Sequence, residues 1–190
     1  MRRQIVPALV VFLFFSVLAG VVYPLAMTGV ARIAFPSKSQ GSLVREGGVV
    51  VGSRLLGQAS GGPRYFQPRP SAAGAGYDGA ASGASNLGPT NPVLLKSVRE
   101  RMAAYRRANG LGASTKVPVD AVTASASGLD SEISLANARL QAPRVARARA
   151  LPLARVLALV RENSHGRSLG FLGEPGVNVL ELNLALDERR

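Results

Sequence analysis

The sequence predicts an α+β protein: one N-terminal transmembrane helix followed by a single soluble domain with a small sheet and several helices. Three observations carry that prediction. No charged side chain occurs from Gln4 through Ala31. Further on, apolar residues recur at helical spacing in two stretches, Leu95–Val98–Met102–Tyr105 and Leu153–Val156–Leu157–Val160. Near the C terminus the period changes, with Leu180, Leu182, Leu184 and Leu186 alternating with Glu181, Asn183 and Ala185, the pattern of a half-buried strand.

The anchor reads IVPALVVFLFFSVLAGVVYPLAMTGV from Ile5 to Val30. At about 1.5 Å per residue, roughly 20 residues cross a hydrocarbon core of about 30 Å. The run is too long for the apolar region of a cleaved signal peptide and lacks a good small-x-small cleavage site. It also lacks the polar face of a buried core helix. An uncleaved single-pass anchor over 1–34 therefore precedes a domain over 35–190. Ser16 and Gly20 form a small-xxx-small pair at which another helix could approach. The flanks do not orient the span: Arg2, Arg3 and the α-amino group on one side balance Arg32, Lys38 and Arg45 on the other.

Composition narrows the chemistry. There is no cysteine, so disulfides, thiolate metal sites and cysteine nucleophiles are excluded. Lys and Arg number 23 against 11 Asp and Glu, a formal net charge of +12. For a membrane-anchored domain with few aromatics, that balance points to an acidic partner or the lipid bilayer rather than to nucleic acid.

After the anchor, Phe35-Pro36 breaks the helix. Val49-Val50-Val51 reads as a short strand, with Arg54–Gln58 its continuation or a second strand. From Gln58 to Pro92 the chain is rich in Gly, Ser, Ala, Pro and Asn, yet Tyr65, Phe66, Tyr77 and Leu87 are interleaved. Aromatics at that density predict an ordered loop rather than a linker. Thr90 or Asn91 caps the next helix, Pro92 sits in its first turn, and Gly110 ends it. The segment Val122–Gly128 holds only small residues, which let backbone approach backbone, or a partner approach both. Ser134 caps a helix toward Gln141, Pro143 starts a second short helix through Ala150, and Pro152 opens a third. Phe171-Leu172 before Glu174-Pro175-Gly176 predicts a strand and a tight turn.

Catalytic motifs fail on context. Gly74–Gly79 matches G-x-G-x-x-G, but lacks the strand before and the helix after that phosphate binding requires. Gly166-Arg167-Ser168-Leu169-Gly170 matches the nucleophile elbow. The only histidine, His165, precedes Ser168, however, and is expected at the terminal carbonyls of the third helix. One histidine and scattered carboxylates (Glu100, Asp120, Asp130, Glu132) offer no metal cluster. The residues alone describe a membrane-anchored, basic, non-catalytic domain. A general extracytoplasmic binding or scaffold protein is the alternative reading, with a serine hydrolase as the outside case.

Several segments resemble one family. They are Gly52-Ser53-Arg54-Leu55-Leu56-Gly57-Gln58; Tyr65-Phe66-Gln67-Pro68-Arg69-Pro70-Ser71-Ala72; Ala81–Leu87; Asn91-Pro92; the stretch from Val122–Asp130 to Pro143-Arg144-Val145-Ala146; and Asn178–Asp187. In that order they resemble the C subunit of the bacterial high-affinity potassium-transporting P-type ATPase, the Kdp complex. The resemblance implies three partners: a channel-like potassium-translocating subunit, a P-type ATPase subunit and a small membrane subunit. It implies no catalysis and no tightly bound cofactor, with ATP entering through the ATPase subunit, whose nucleotide affinity this subunit raises as a catalytic chaperone. It also implies an inner-membrane location with the domain on the outer face, and a glutamine tied to nucleotide binding, for which Gln141 is the candidate. The plainer reading of Gln141 is a polar residue ending a helix before Pro143.

Overall fold

The computed structural model describes residues 2–188. The chain divides into two compact units, Met1–Val51 and Gly52–Arg190.

The first unit is dominated by a long apolar helix. It consists of α1 (Arg2–Val17), a π turn (Leu18–Val22) and α2 (Tyr23–Ala34). Pro24 cannot donate to the carbonyl of Gly20 four residues back, and Gly20 lies inside the π turn, so the wide turn sits where the ladder loses a bond. Thr28 Oγ1 donates back to Pro24 O at 2.7 Å. Arg3–Ala34 is long and apolar enough to cross a membrane, and none of its most apolar window is buried within the chain. Phe35 leaves helical geometry (φ −137°, ψ 60°), as the Phe-Pro pair predicts. A one-turn helix, α3 (Pro36–Ser39), then leads to a hairpin of β1 (Leu43–Glu46) and β2 (Val49–Ser53). Gly47 and Gly48 both have positive φ (56° and 85°), as a two-residue primed turn demands. The Val49 strand is as expected. Strand β1 was not expected, although Gly-Gly just before a run of three valines is a hairpin signal. Arg54–Leu56 turns rather than continuing the strand.

In the second unit, α4 (Pro92–Asn109) starts at Asn91, whose side chain accepts from Val93 N, and stops at Gly110 in the left-handed region (φ 66°). A 3-10 turn, Val119–Ala121, precedes β3 (Glu132–Ser134). Then follow α5 (Leu135–Arg149), α6 (Leu153–Glu162), β4 (Ser164–His165), β5 (Gly176–Asn178) and α7 (Val179–Asp187). The three strands form one antiparallel sheet in the order β3-β5-β4, with Ile133 opposite Val177 and both buried. The core joins that sheet to Val145, Val156, Leu159, Val160, Leu182, Leu186 and Phe66.

Three expectations are corrected. The alternating leucines form helix α7, not a strand. Asn178 Oδ1 accepts from Glu181 N as an N-cap, and the buried set is Val179, Leu182, Asn183 and Leu186, which has helical spacing. Period two and period 3.6 both fit this run, and packing selects the second. Pro143 does not start a new helix but lies inside α5. Ala138, Ala142, Val145 and Ala146 are all buried on this helix, so its tertiary contacts outweigh one missing hydrogen bond. Phe171-Leu172 is no strand of the sheet. Both are exposed, within the turn that the Ser168–Leu172 bridge closes, and the strand is instead Gly176–Asn178, starting at the last residue of the expected Glu174-Pro175-Gly176 turn.

Candidate functional site

The stretch from Gln58 to Pro92 has almost no regular structure, yet its middle is part of the core: Phe66 and Ala73 are fully buried. Buried backbone must find hydrogen-bond partners, and here side chains of two helices supply them. On α7, Asn183 Oδ1 accepts from Phe66 N (2.8 Å) while its Nδ2 donates to Phe66 O (3.0 Å). On α5, Gln141 Oε1 accepts from Gln67 N (2.7 Å) while its Nε2 donates to Gln67 O (3.0 Å). Two carboxamides thus grip consecutive residues, each taking one residue's N–H and C=O in the way a neighbouring strand would.

Two arginines of α5 complete the clasp. Arg144 donates to Pro63 O, to Tyr65 O (3.0 Å), to Gln141 Oε1 (2.8 Å) and to Asn109 Oδ1 (2.9 Å). Arg149 donates to Arg64 O (2.7 Å), Leu186 O (3.0 Å) and Asp187 Oδ1 (2.9 Å), and its guanidinium lies 4.7 Å from the centre of the Tyr65 ring. Tyr65 Oη in turn donates to Asp187 Oδ2 at 2.9 Å. The far side of the loop is held by the small-residue segment: Ala72 N donates to Ser125 O and Ser125 N to Pro70 O, both at 2.7 Å. Backbone therefore meets backbone at Val122–Gly128. Gly128 (φ 71°) has no room for a Cβ, which would come within 2.8 Å of Gly79 N. Arg69 closes the same side on Thr123 O (2.9 Å) and Asp130 Oδ2 (2.8 Å).

Behind Gln141 the polar network continues inward. Gln141 Nε2 also donates to Asn137 Oδ1 (2.9 Å), which accepts from Tyr105 Oη (2.8 Å) as well. Asn137 Nδ2 donates to Asp120 Oδ2 (2.9 Å), and Asp120 also accepts from Ser134 N and Ser134 Oγ. Burial and the Asp120 carboxylate hold the Tyr105 phenol far above its ordinary range. Burial pulls the Arg144 guanidinium down, partly offset by Tyr105. Among the described residues no buried side-chain nitrogen or oxygen lacks a partner.

A cleft of about 490 Å³ opens between this loop and the helices. Pro63, Pro68 and Pro70 form the loop wall, Arg101 and Tyr105 of α4 face them, and Gln141 and Arg144 of α5 also line it. Gln141 is 1% exposed and sits mid-helix rather than at a helix end. Its oxygen accepts two hydrogen bonds and its amide donates two, the full capacity of a carboxamide. What it does here is hold the loop. The family resemblance pointed to Gln141, and the sequence reading missed Asn183, Arg144 and Arg149. Polar residues on buried helix faces were the available signal.

The motifs set aside earlier take structural parts. Gly74–Gly79 is a run of turns in which Gly74 N donates to Ala81 O (2.8 Å), with no helix following. Ser168 lies in the exposed 168–172 turn. His165 does not meet the carbonyls ending α6. It stands on β4, with Nε2 2.7 Å from Glu132 Oε1 on β3 and Nδ1 3.3 Å from Gly166 O. The Glu132 hydrogen bond, helped by Gly166 O, raises the His165 pKa above its ordinary value. No group of His, Cys, Asp and Glu suited to a metal occurs among the described residues.

The chain thus joins an apolar helix long enough to cross a membrane to an α+β domain in which Asn183, Gln141, Arg144 and Arg149 hold an irregular loop. Comparison with known proteins gives the family. Residues 5–188 match the family model for KdpC, "K+-transporting ATPase, c chain". The chain is 56% identical over 187 residues to the potassium-transporting ATPase KdpC subunit of Mycobacterium tuberculosis, covering 98% of this chain and 99% of that one. The KdpC subunits of Rhodospirillum rubrum (56% over 189 residues; 100% and 97% covered) and Beijerinckia indica (54% over 189 residues; 100% and 95%) are similar. The chain belongs to the KdpC family.

Proposed function

We propose that this chain is a non-catalytic accessory subunit of an ATP-driven potassium uptake complex, which it stabilises and whose ATPase subunit it brings to higher ATP affinity. The observation that supports this most is the family match over residues 5–188, joined to an apolar helix that the chain itself leaves unburied. That helix needs lipid or other membrane helices around it. The partners in this reading are a channel-like potassium-translocating subunit, a P-type ATPase subunit and a small membrane subunit, in the inner membrane, with the domain on the outer face.

From the outer face the domain cannot touch cytoplasmic ATP. Its effect on nucleotide affinity is then a coupling free energy passed between subunits, of order 1–3 kcal/mol for a 5–150-fold change. Gln141 contributes by keeping the 58–92 loop in shape for its partner surface, not by contacting nucleotide. The test is the purified complex with and without this chain. Loss of assembly, or a raised KM for ATP in the remaining ATPase, supports the proposal. An intact complex with unchanged KM and transport overturns it. Side is tested separately by Ser114→Cys, on an exposed loop, as the sole thiol. Labelling by an impermeant maleimide in intact cells is expected, and labelling only after lysis refutes the outer placement.

A further inference from the structure

A second groove, of about 470 Å³, lies between α5 and α6, away from the loop clasp. Its walls are Pro143 of α5 and Leu153, Leu157 and Val160 of α6, and its two charged lining residues are Arg139 and Arg161. Arg139 stands four residues before Pro143 and Arg161 four after Leu157, so each arginine stem rises from the same helix face as the apolar wall. No carboxylate lines the groove. Four arginines of this domain have carboxylate partners: Arg54 with Glu181, Arg69 with Asp130, Arg149 with Asp187 and Arg167 with Glu174. Arg139 and Arg161 are both exposed, and among the described residues neither has such a partner.

From this geometry we infer that the α5–α6 groove is a docking site for an acidic–apolar segment of a partner subunit, with apolar side chains on Leu153 and Leu157 and carboxylates on Arg139 and Arg161. The inference rests on the accessory-subunit reading above. Charge complementarity selects the occupant: the chain is strongly basic, and two arginines flank an apolar floor that no carboxylate lines. The volume lies within the range of about 300–1,000 Å³ typical of ligand pockets, room for a few side chains. A free inorganic anion would leave the apolar wall in water. With no native cysteine, the chain suits a single-thiol test.

The experiment uses the full-length chain co-expressed with its complex. Ala154→Cys, exposed and lining the groove, carries a thiol-linked photo-cross-linker, with Ser114→Cys as a control remote in sequence. We expect Ala154→Cys to cross-link one partner peptide that contains both carboxylates and apolar residues, and Ser114→Cys not to mark it. Adding Arg139→Glu and Arg161→Glu should lower that yield roughly ten-fold, since two attractions become repulsions. An unchanged far-UV circular dichroism melt keeps the loss from being one of folding. Cross-linking only to lipid, to a peptide without carboxylates, or to nothing overturns the inference while co-purification still supports the accessory-subunit reading. Failure of the unmodified chain to co-purify overturns both.

Discussion

Arg144→Met tests the loop clasp most directly. Arg144 is 8% exposed and donates to the carbonyls of Pro63 and Tyr65, to Gln141 Oε1 and to Asn109 Oδ1. Methionine keeps the apolar stem but none of the donors. Gln141 Oε1 retains Gln67 N as a donor, so the loop's loss centres on the two carbonyls. Hydrogen bonds from a charged donor are worth about 1.5–3 kcal/mol each, and relief of the buried guanidinium's desolvation returns part of that. The net weakening of the loop comes to about 3 kcal/mol. Such a change multiplies the population of the opened loop roughly 100-fold. The Arg64–Tyr65 bond lies within the clasped segment, and trypsin cuts after arginine, so native-state cleavage there reads the opening. The assay is full-length chain in detergent, followed by mass spectrometry of the 65-onward fragment. Cleavage should accelerate by about two orders of magnitude if opening is in rapid equilibrium. An acceleration of less than about three-fold, with α4 and α5 still folded, would falsify the view that Arg144 holds the loop.

Three further outcomes follow from the same geometry. Phe66→Ala should destabilise the domain by about 3–5 kcal/mol in denaturant unfolding, because a fully buried ring leaves a cavity in the core rather than in a linker; a linker-like change below about 0.5 kcal/mol refutes that. Gly128→Ala should cost at least about 1–3 kcal/mol and slacken the 70–83 turns, since both the left-handed φ of 71° and the Gly79 backbone oppose a Cβ; an unchanged melting temperature contradicts the close approach. His165 is the only histidine, so its imidazole signal is unambiguous in a pH titration and should have a midpoint above 6.5, moving down in Glu132→Gln. With its folded pKa raised, the pair stabilises below the unfolded value, and that contribution is lost as pH rises through the folded value. At 48% and 42% exposure it is worth no more than about 0.5 kcal/mol. A His165→Gln deficit that grows toward alkaline pH would show the sign to be wrong.

The anchor, α4 with its Asn91 cap and Gly110 stop, the Ser134 cap and the α6 stripe were legible because each depends on local chemistry: charge-free length, a side chain near its own backbone, or one apolar face. Order in the Gly- and Ser-rich loop was legible from its aromatics, of which Phe66 proved to be core. What the tertiary structure decided were the choices that local chemistry leaves degenerate. Residues 179–186 satisfy both a strand and a helix period, and only the burial of Leu182 and Leu186 against the core selects α7. Pro143 is a helix breaker by local rules, and the buried alanines and valine around it keep α5 whole. The grip of Asn183, Gln141, Arg144 and Arg149 on residues 63–67 joins groups far apart in the sequence, so no periodicity announces it. Local hydrogen bonds and apolar runs are written in neighbouring residues, whereas the satisfaction of a buried loop's backbone is settled only when distant helices arrive beside it.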